Sequence, residues 1–96
     1  MDLFIIARFH ARAGQESAVE VALREVTGPS REEPTCLGFH VYRSTRDPGL
    51  FYIHSCWQDE AAFDLHAGLP HTVRFLKRVE PLIDHGRDVT RARLII

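Results

Sequence analysis

Long apolar runs are missing from this 96-residue chain, which excludes a helix of the roughly 18 or more apolar residues needed to cross a membrane. Cysteine is scarce. Cys36 and Cys56 are the only two, at a spacing that fits no metal-binding pattern, so two small buried thiols in a reducing cytoplasm are expected. Met1-Asp2-Leu3 enters an apolar stretch without a basic leader region or a cleavage site, which argues against export. An excess of one charge is also lacking: 12 Lys and Arg face 13 Asp and Glu, for a net charge of -1. General attraction to nucleic acid or to an anionic membrane surface is therefore not expected. There is no glycine-rich phosphate loop, no G-x-S-x-G elbow and no H-E-x-x-H helix, and a flavin or nicotinamide site would need a larger fold. No cofactor and no bound metal are expected.

What the chain does have is ordered patterning over one small domain, residues 1–96, without repeat or linker. Leu3 to Ala11 alternates as a strand, with Leu3, Ile5, Ala7 and Phe9 on one face. Ala13-Gly14 ends it. Val19, Ala22, Leu23 and Val26 then recur at helical spacing from Gln15 to about Thr27, where Gly28-Pro29 is expected to stop the helix. Cys36 to Ser44 and Leu50 to Trp57 read as a hairpin around the turn Thr45-Arg46-Asp47-Pro48-Gly49. The register that follows sets Tyr42 across from Tyr52, His40 from His54 and Gly38 from Cys56 on one face. The other face pairs Arg43 with Phe51, Val41 with Ile53 and Phe39 with Ser55. Asp59 can cap a short helix to about His66, and Pro70 suits the first position of another, with Val73, Leu76, Val79 and Ile83 as its apolar stripe. Asp88 to Ile96 alternates as a last strand with one wet face.

The order β-α-β-β-α-α-β predicts an α+β fold, a ferredoxin-like four-stranded antiparallel sheet with its helices on one face. The face with Phe4, Ile6, Cys36, Tyr42, Leu50 and Tyr52 is too apolar to leave in water. A homodimer that packs two such faces into a barrel is the expected solution.

The residues from Ser30 to Phe39, Ser-Arg-Glu-Glu-Pro-Thr-Cys-Leu-Gly-Phe, resemble the S-R-x-E-P-G-C entry of the antibiotic biosynthesis monooxygenase family into its second strand. Val41-Tyr42-Arg43, Asp47-Pro48 and Phe51 follow, then Trp57, Asp59, Ala62, His66, Pro70-His71 and Phe75 at the spacings of the family's W-x-D…A…H…P-H…F stretch. The resemblance implies a dimeric α+β barrel and, in characterised members, oxidation of quinols, anthrones or related aromatics by O2 without metal or flavin. Two positions depart from the pattern. Thr35 replaces a glycine, and Ser55 replaces a glutamate two residues before the tryptophan. A sister group that degrades haem uses Asn, Trp and His where this chain has Ala7, His66 and Leu76, so haem is not expected as its substrate. An aromatic-binding module without catalysis and an isomerase of a small phosphorylated keto-sugar are the alternatives; the second would need several cations around one pocket, and Arg43 alone is thin.

The helix-covered face is the better place for a pocket. Phe9, Val41, Ile53 and Trp57 form an apolar wall under helices bearing Phe63, Val73 and Leu76, with Arg43, Ser55 and His66 as its few polar groups. O2 reacts slowly with neutral closed-shell organics and readily with electron-rich anions. A cofactor-free oxygenase must therefore remove a substrate proton and keep the anion from bulk water. His66 is the expected general base, with His71 second. Arg43 would stabilise the oxyanion, Ser55 would add a hydrogen bond, and Trp57 would stack on the ring. Phe63, Phe9, Ile53 and Val41 would complete the substrate wall. His66 and His71, five apart across Gly68 and Pro70, are not expected to share a helix face. His10, His40 and His54 are the weaker alternative, a histidine cluster on the other sheet face that a transition metal would suit.

Overall fold

The computed structural model describes residues 2–96. Strand β1 (Leu3–His10) leads through helix α1 (Glu16–Arg31) to β2 (Cys36–Arg43) and β3 (Leu50–Trp57). Helices α2 (Glu60–Gly68) and α3 (Pro70–Val79) follow, then a 3₁₀ turn (Glu80–Leu82) and β4 (Asp88–Ala92). All strand pairs are antiparallel and the sheet order is β2-β3-β1-β4, the ferredoxin-like arrangement. The β2–β3 register is the expected one from Gly38↔Cys56 to Arg43↔Phe51. A bulge between Cys36 and Gly38 sets Cys36 opposite Trp57. Cys36 therefore packs against the core and is not part of the open sheet face as expected. Both cysteines are free, and burial pushes their thiols above the usual range, as befits small hydrophobes.

The core lies between the sheet and the helices. Leu3, Ile5, Ala7 and Phe9 of β1 are buried, as are Phe51, Ile53, Ser55 and Trp57 of β3. Val19, Ala22, Leu23 and Val26 of α1 press onto them. Each fully buried large side chain contributes about 1.5–3 kcal/mol of transfer free energy; Trp57 and Phe51 of the inner strand β3 are the largest, joined by Val19 and Leu23 of α1 and Val79 of α3. Gly14, at φ 87, makes the turn that swings the chain from β1 onto the helix layer.

Three boundaries differ from the sequence reading. Helix α1 does not stop at Gly28-Pro29 but runs to Arg31 with Pro29 inside it. Pro29 forfeits one backbone bond, yet Ser30 is fully buried and Arg31 Nε donates to the Phe39 carbonyl at 2.9 Å, so tertiary packing holds the last turn. The buried stripe of α3 is Thr72, Phe75 and Val79, with Leu76 half-buried; Val73 faces out at 37% exposure. Ile83 lies beyond the helix, buried and bridged to Ala11. Strand β4 ends at Ala92, opposite Phe4, because β1 itself begins at Leu3 and offers Leu94 to Ile96 no partner.

Candidate active site

Helices α2 and α3 do not close tightly on the sheet. Between them lies a hollow of about 360 Å³, floored by Ile5, Ala7 and Phe9 of β1 and by Phe39 and Ile53, and roofed by Phe63, Phe75 and Leu76. That volume is in the range of small-molecule sites. Its polar lining is sparse: Ser55, His66 and Thr72 within, and Arg87 and Arg91 from β4 and the segment before it. The hollow exists because β1 and β3 alternate strictly, so their apolar side chains all face the helices, while Gly68 and Pro70 break the helix layer into two short pieces above them.

His66 is the buried polar centre of this wall, at 6% exposure. Asp59 starts its helix by accepting the Ala62 backbone N–H at 2.8 Å, a cap worth about 0.5–2 kcal/mol, and so fixes the turn that delivers His66. The imidazole packs on Trp57, ring centroids 4.3 Å apart, and between Phe39 and Phe63. Its Nδ1 lies 2.6 Å from Glu33 Oε2, and the same carboxylate oxygen lies 2.8 Å from His71 Nε2. The Thr72 hydroxyl approaches His66 Nδ1 at 3.4 Å. A carboxylate can only accept, so both imidazole nitrogens donate to it, and the unprotonated nitrogen of His66 is Nε2. Burial holds the His66 pKa below its ordinary value of 6.5 against the opposing pull of Glu33, so the ring is neutral at pH 7.

The expected site residues fall into two groups. His66, Ser55, Phe63, Phe9 and Ile53 line the hollow. Trp57 is fully buried beneath it; its indole N–H donates to Ser55 Oγ at 3.0 Å, so it supports His66 and offers no open face for stacking. Arg43 and Val41 are outside. Their strand is at the sheet edge, and with Phe51 they line a separate cleft against α1, where Arg43 pairs with Glu20 at 2.5 Å and lies over the Phe51 ring. The arginines that reach the hollow are Arg87 and Arg91; Arg91 is engaged by Glu60 and Asp64, at 3.1 and 2.7 Å. His71 meets His66 after all, through Glu33 rather than along a helix face. The histidine cluster weighed as the weaker alternative forms only in part: His40 and His54 pair across the strands, but His10 is held at the sheet end between Asp47 and Asp84.

Glu33 and Thr72 were missed by the sequence reading, as were Arg87 and Arg91. Glu33 stands within the Ser30–Phe39 motif, but nothing in one dimension ties it to a histidine 33 residues on. The family model for antibiotic biosynthesis monooxygenases matches residues 2–78. The chain belongs to that family. Among its relatives, the Mycobacterium tuberculosis protein called "Putative monooxygenase Rv0793" is 30% identical over 86 residues, 90% of this chain and 84% of the relative. The solved structure of Rv0793 matches this antibiotic biosynthesis monooxygenase family member at a TM-score of 0.95 and 26% identity, over 100% of this chain and 97% of that one. PA3566 from Pseudomonas aeruginosa matches at 0.92 and 30% identity, over 99% and 95% of the two chains.

Proposed function

We propose that this antibiotic biosynthesis monooxygenase family protein oxidises a hydroquinone, anthrone or similar electron-rich phenol with O2, and that His66 is the base that starts the reaction. The observation that carries this reading is a neutral, buried imidazole in the wall of an apolar hollow, with Nδ1 bound to Glu33 and Nε2 left to accept a proton. A one- to three-ring aromatic suits the volume. The phenolic proton passes to His66 Nε2, and the resulting anion, kept from bulk water, gives an electron to O2. Glu33 fixes the tautomer and stabilises the imidazolium that forms, as the carboxylate does in other base–orienter pairs. Arg87, at the rim, takes the oxyanion role expected of Arg43.

The open sheet face is not covered within the protomer, and a second copy of the chain is the occupant we favour. Ile6 and Tyr42 are 44% and 52% exposed on that face, with Phe4 and Tyr52 half-buried beside them. The direct test is oxygen uptake with a panel of hydroquinones in chelator-treated buffer. His66→Ala is expected to lower turnover by about 10²–10⁴-fold while ligand still quenches Trp57 fluorescence. Undiminished uptake in that variant removes His66 as the base. Quenching without turnover in the parent protein points to a binding module, a reading favoured by Ser55 standing where the family pattern has glutamate and being bonded to Trp57.

A further inference from the structure

The sequence offers His10, His40 and His54 as metal donors, and the fold pairs His40 with His54 but holds His10 between Asp47 and Asp84. It assembles a different set. One acceptor atom from each of Glu33, His66 and His71 lies within 4.8 Å of the others. We propose that these three side chains form a site for a divalent first-row transition metal of the Zn²⁺, Co²⁺ or Ni²⁺ type, beside the hollow and on the Nδ1 side of His66.

Two imidazoles and one carboxylate are a donor set that borderline divalent metals favour over Mg²⁺ or Ca²⁺, which prefer oxygen cages. The three ligands come from elements already fixed in place: Glu33 from the turn after α1, His66 from the last turn of α2 and His71 from the first turn of α3. The connector between the histidines is itself tied down, with the Leu69 N–H donating to the His66 carbonyl at 3.2 Å and the Val73 N–H to the Leu69 carbonyl at 3.0 Å. Bond lengths of about 2.0–2.1 Å in a tetrahedral site put ligand atoms roughly 3.3 Å apart. Here the two N···O separations are 2.6 and 2.8 Å, so side-chain rotation must widen them by about 0.7 and about 0.5 Å for a cation to enter between them. Side-chain exposures of 9%, 8% and 16% for Glu33, His66 and His71 leave the site dry but reachable. Three protein ligands with one open position is the pattern of reactive rather than structural zinc sites.

The consequence for chemistry rests on the functional reading above. A metal on His66 Nδ1 displaces the proton there, and a neutral ring then carries its proton on Nε2. The nitrogen that would accept from substrate is capped. Metal occupancy would thus switch off proton abstraction without blocking the apolar floor of the hollow.

The experiment needs no substrate, so it stands apart from the oxygenase reading. The metal-free full chain is titrated with Co²⁺, binding is read from its visible d–d absorption, and Zn²⁺ is added in competition. One equivalent per chain, displaced by Zn²⁺, is expected. Glu33→Gln and His71→Ala, each checked for native circular dichroism, should weaken binding by about a hundredfold, while His40→Ala/His54→Ala leaves it unchanged. Absence of binding in the parent chain overturns the proposal. So does binding retained in both Glu33→Gln and His71→Ala, or lost in the His40/His54 variant.

Discussion

The hydrogen bond from Trp57 to Ser55 gives a direct test of whether Ser55 is a structural residue or a stand-in for a missing catalytic acid. Both groups are buried, at 0% and 2% exposure, and the indole N–H donates to Oγ at 3.0 Å. Ser55→Ala removes the acceptor and leaves that N–H buried without its side-chain partner. An unsatisfied buried donor costs about 1–3 kcal/mol. For a domain of this length each kcal/mol moves the melting temperature by about 4–8 °C, so a loss of about 2 kcal/mol corresponds to roughly 8–16 °C. Trp57→Phe removes the donor instead. In that background Ser55→Ala deletes a hydroxyl that has already lost its partner, and its cost should shrink by at least about 1 kcal/mol. Urea unfolding followed by far-ultraviolet circular dichroism on the four proteins, at fixed protomer concentration, gives the coupling directly. Two single effects that add to within about 0.5 kcal/mol would refute the reasoning, because the bond would then carry none of the stability assigned to it.

Other outcomes follow from the same geometry. His10 sits between Asp84 and Asp47, whose hydrogen bonds raise its pKa above 6.5, while those partners' carboxyls lie below 3.8. That contribution is present between about pH 4 and 6.5, fades as pH rises through the folded His10 value, and fades again in acid as the carboxylates protonate. Thermal melts of His10→Gln should accordingly lack part of the parent's decline above pH 6.5. Ser30 Oγ is buried with no hydrogen-bond partner among the described residues, so Ser30→Ala should leave stability unchanged or raise it by up to about 1 kcal/mol in chemical denaturation. Arg43→Gln should change turnover by less than about twofold, whereas Arg87→Gln should lower it by about a hundredfold in the oxygen-uptake assay. Ile6→Asp, which puts a charge on the open sheet face, should shift the protein to monomer in light scattering.

The fold was legible because its signals are local and periodic. The hairpin register from Gly38 to Arg43 followed from the Asp47-Pro48-Gly49 turn and from strict alternation on either side of it. Helix ends were less so. Pro29 reads as a stop, and only the burial of Ser30 and the Arg31 bond to Phe39 explain why the helix continues. The site was legible in its apolar part and in His66, since Phe9 and Ile53 lie on strand faces that the correct register turns inward and Phe63 lies on the helix above them. The placement of Arg43 failed for a physical reason: sharing a sheet face with Val41 does not bring a residue to the hollow when its strand lies at the edge and α1 offers Glu20 nearby.

Taken by itself, the order of residues determined what repeats at fixed spacing: strand faces, helix stripes, the turn chemistry and the family motifs distributed from Ser30 to Phe75. Only the folded chain decided which distant polar groups meet. Glu33 reaches His66 and His71 because α1 ends beside the α2–α3 corner, and Trp57 becomes a support because the β1–β3 pairing buries it under His66. Spacing along a strand or helix is set by backbone geometry, whereas a contact across 33 residues depends on how whole elements pack.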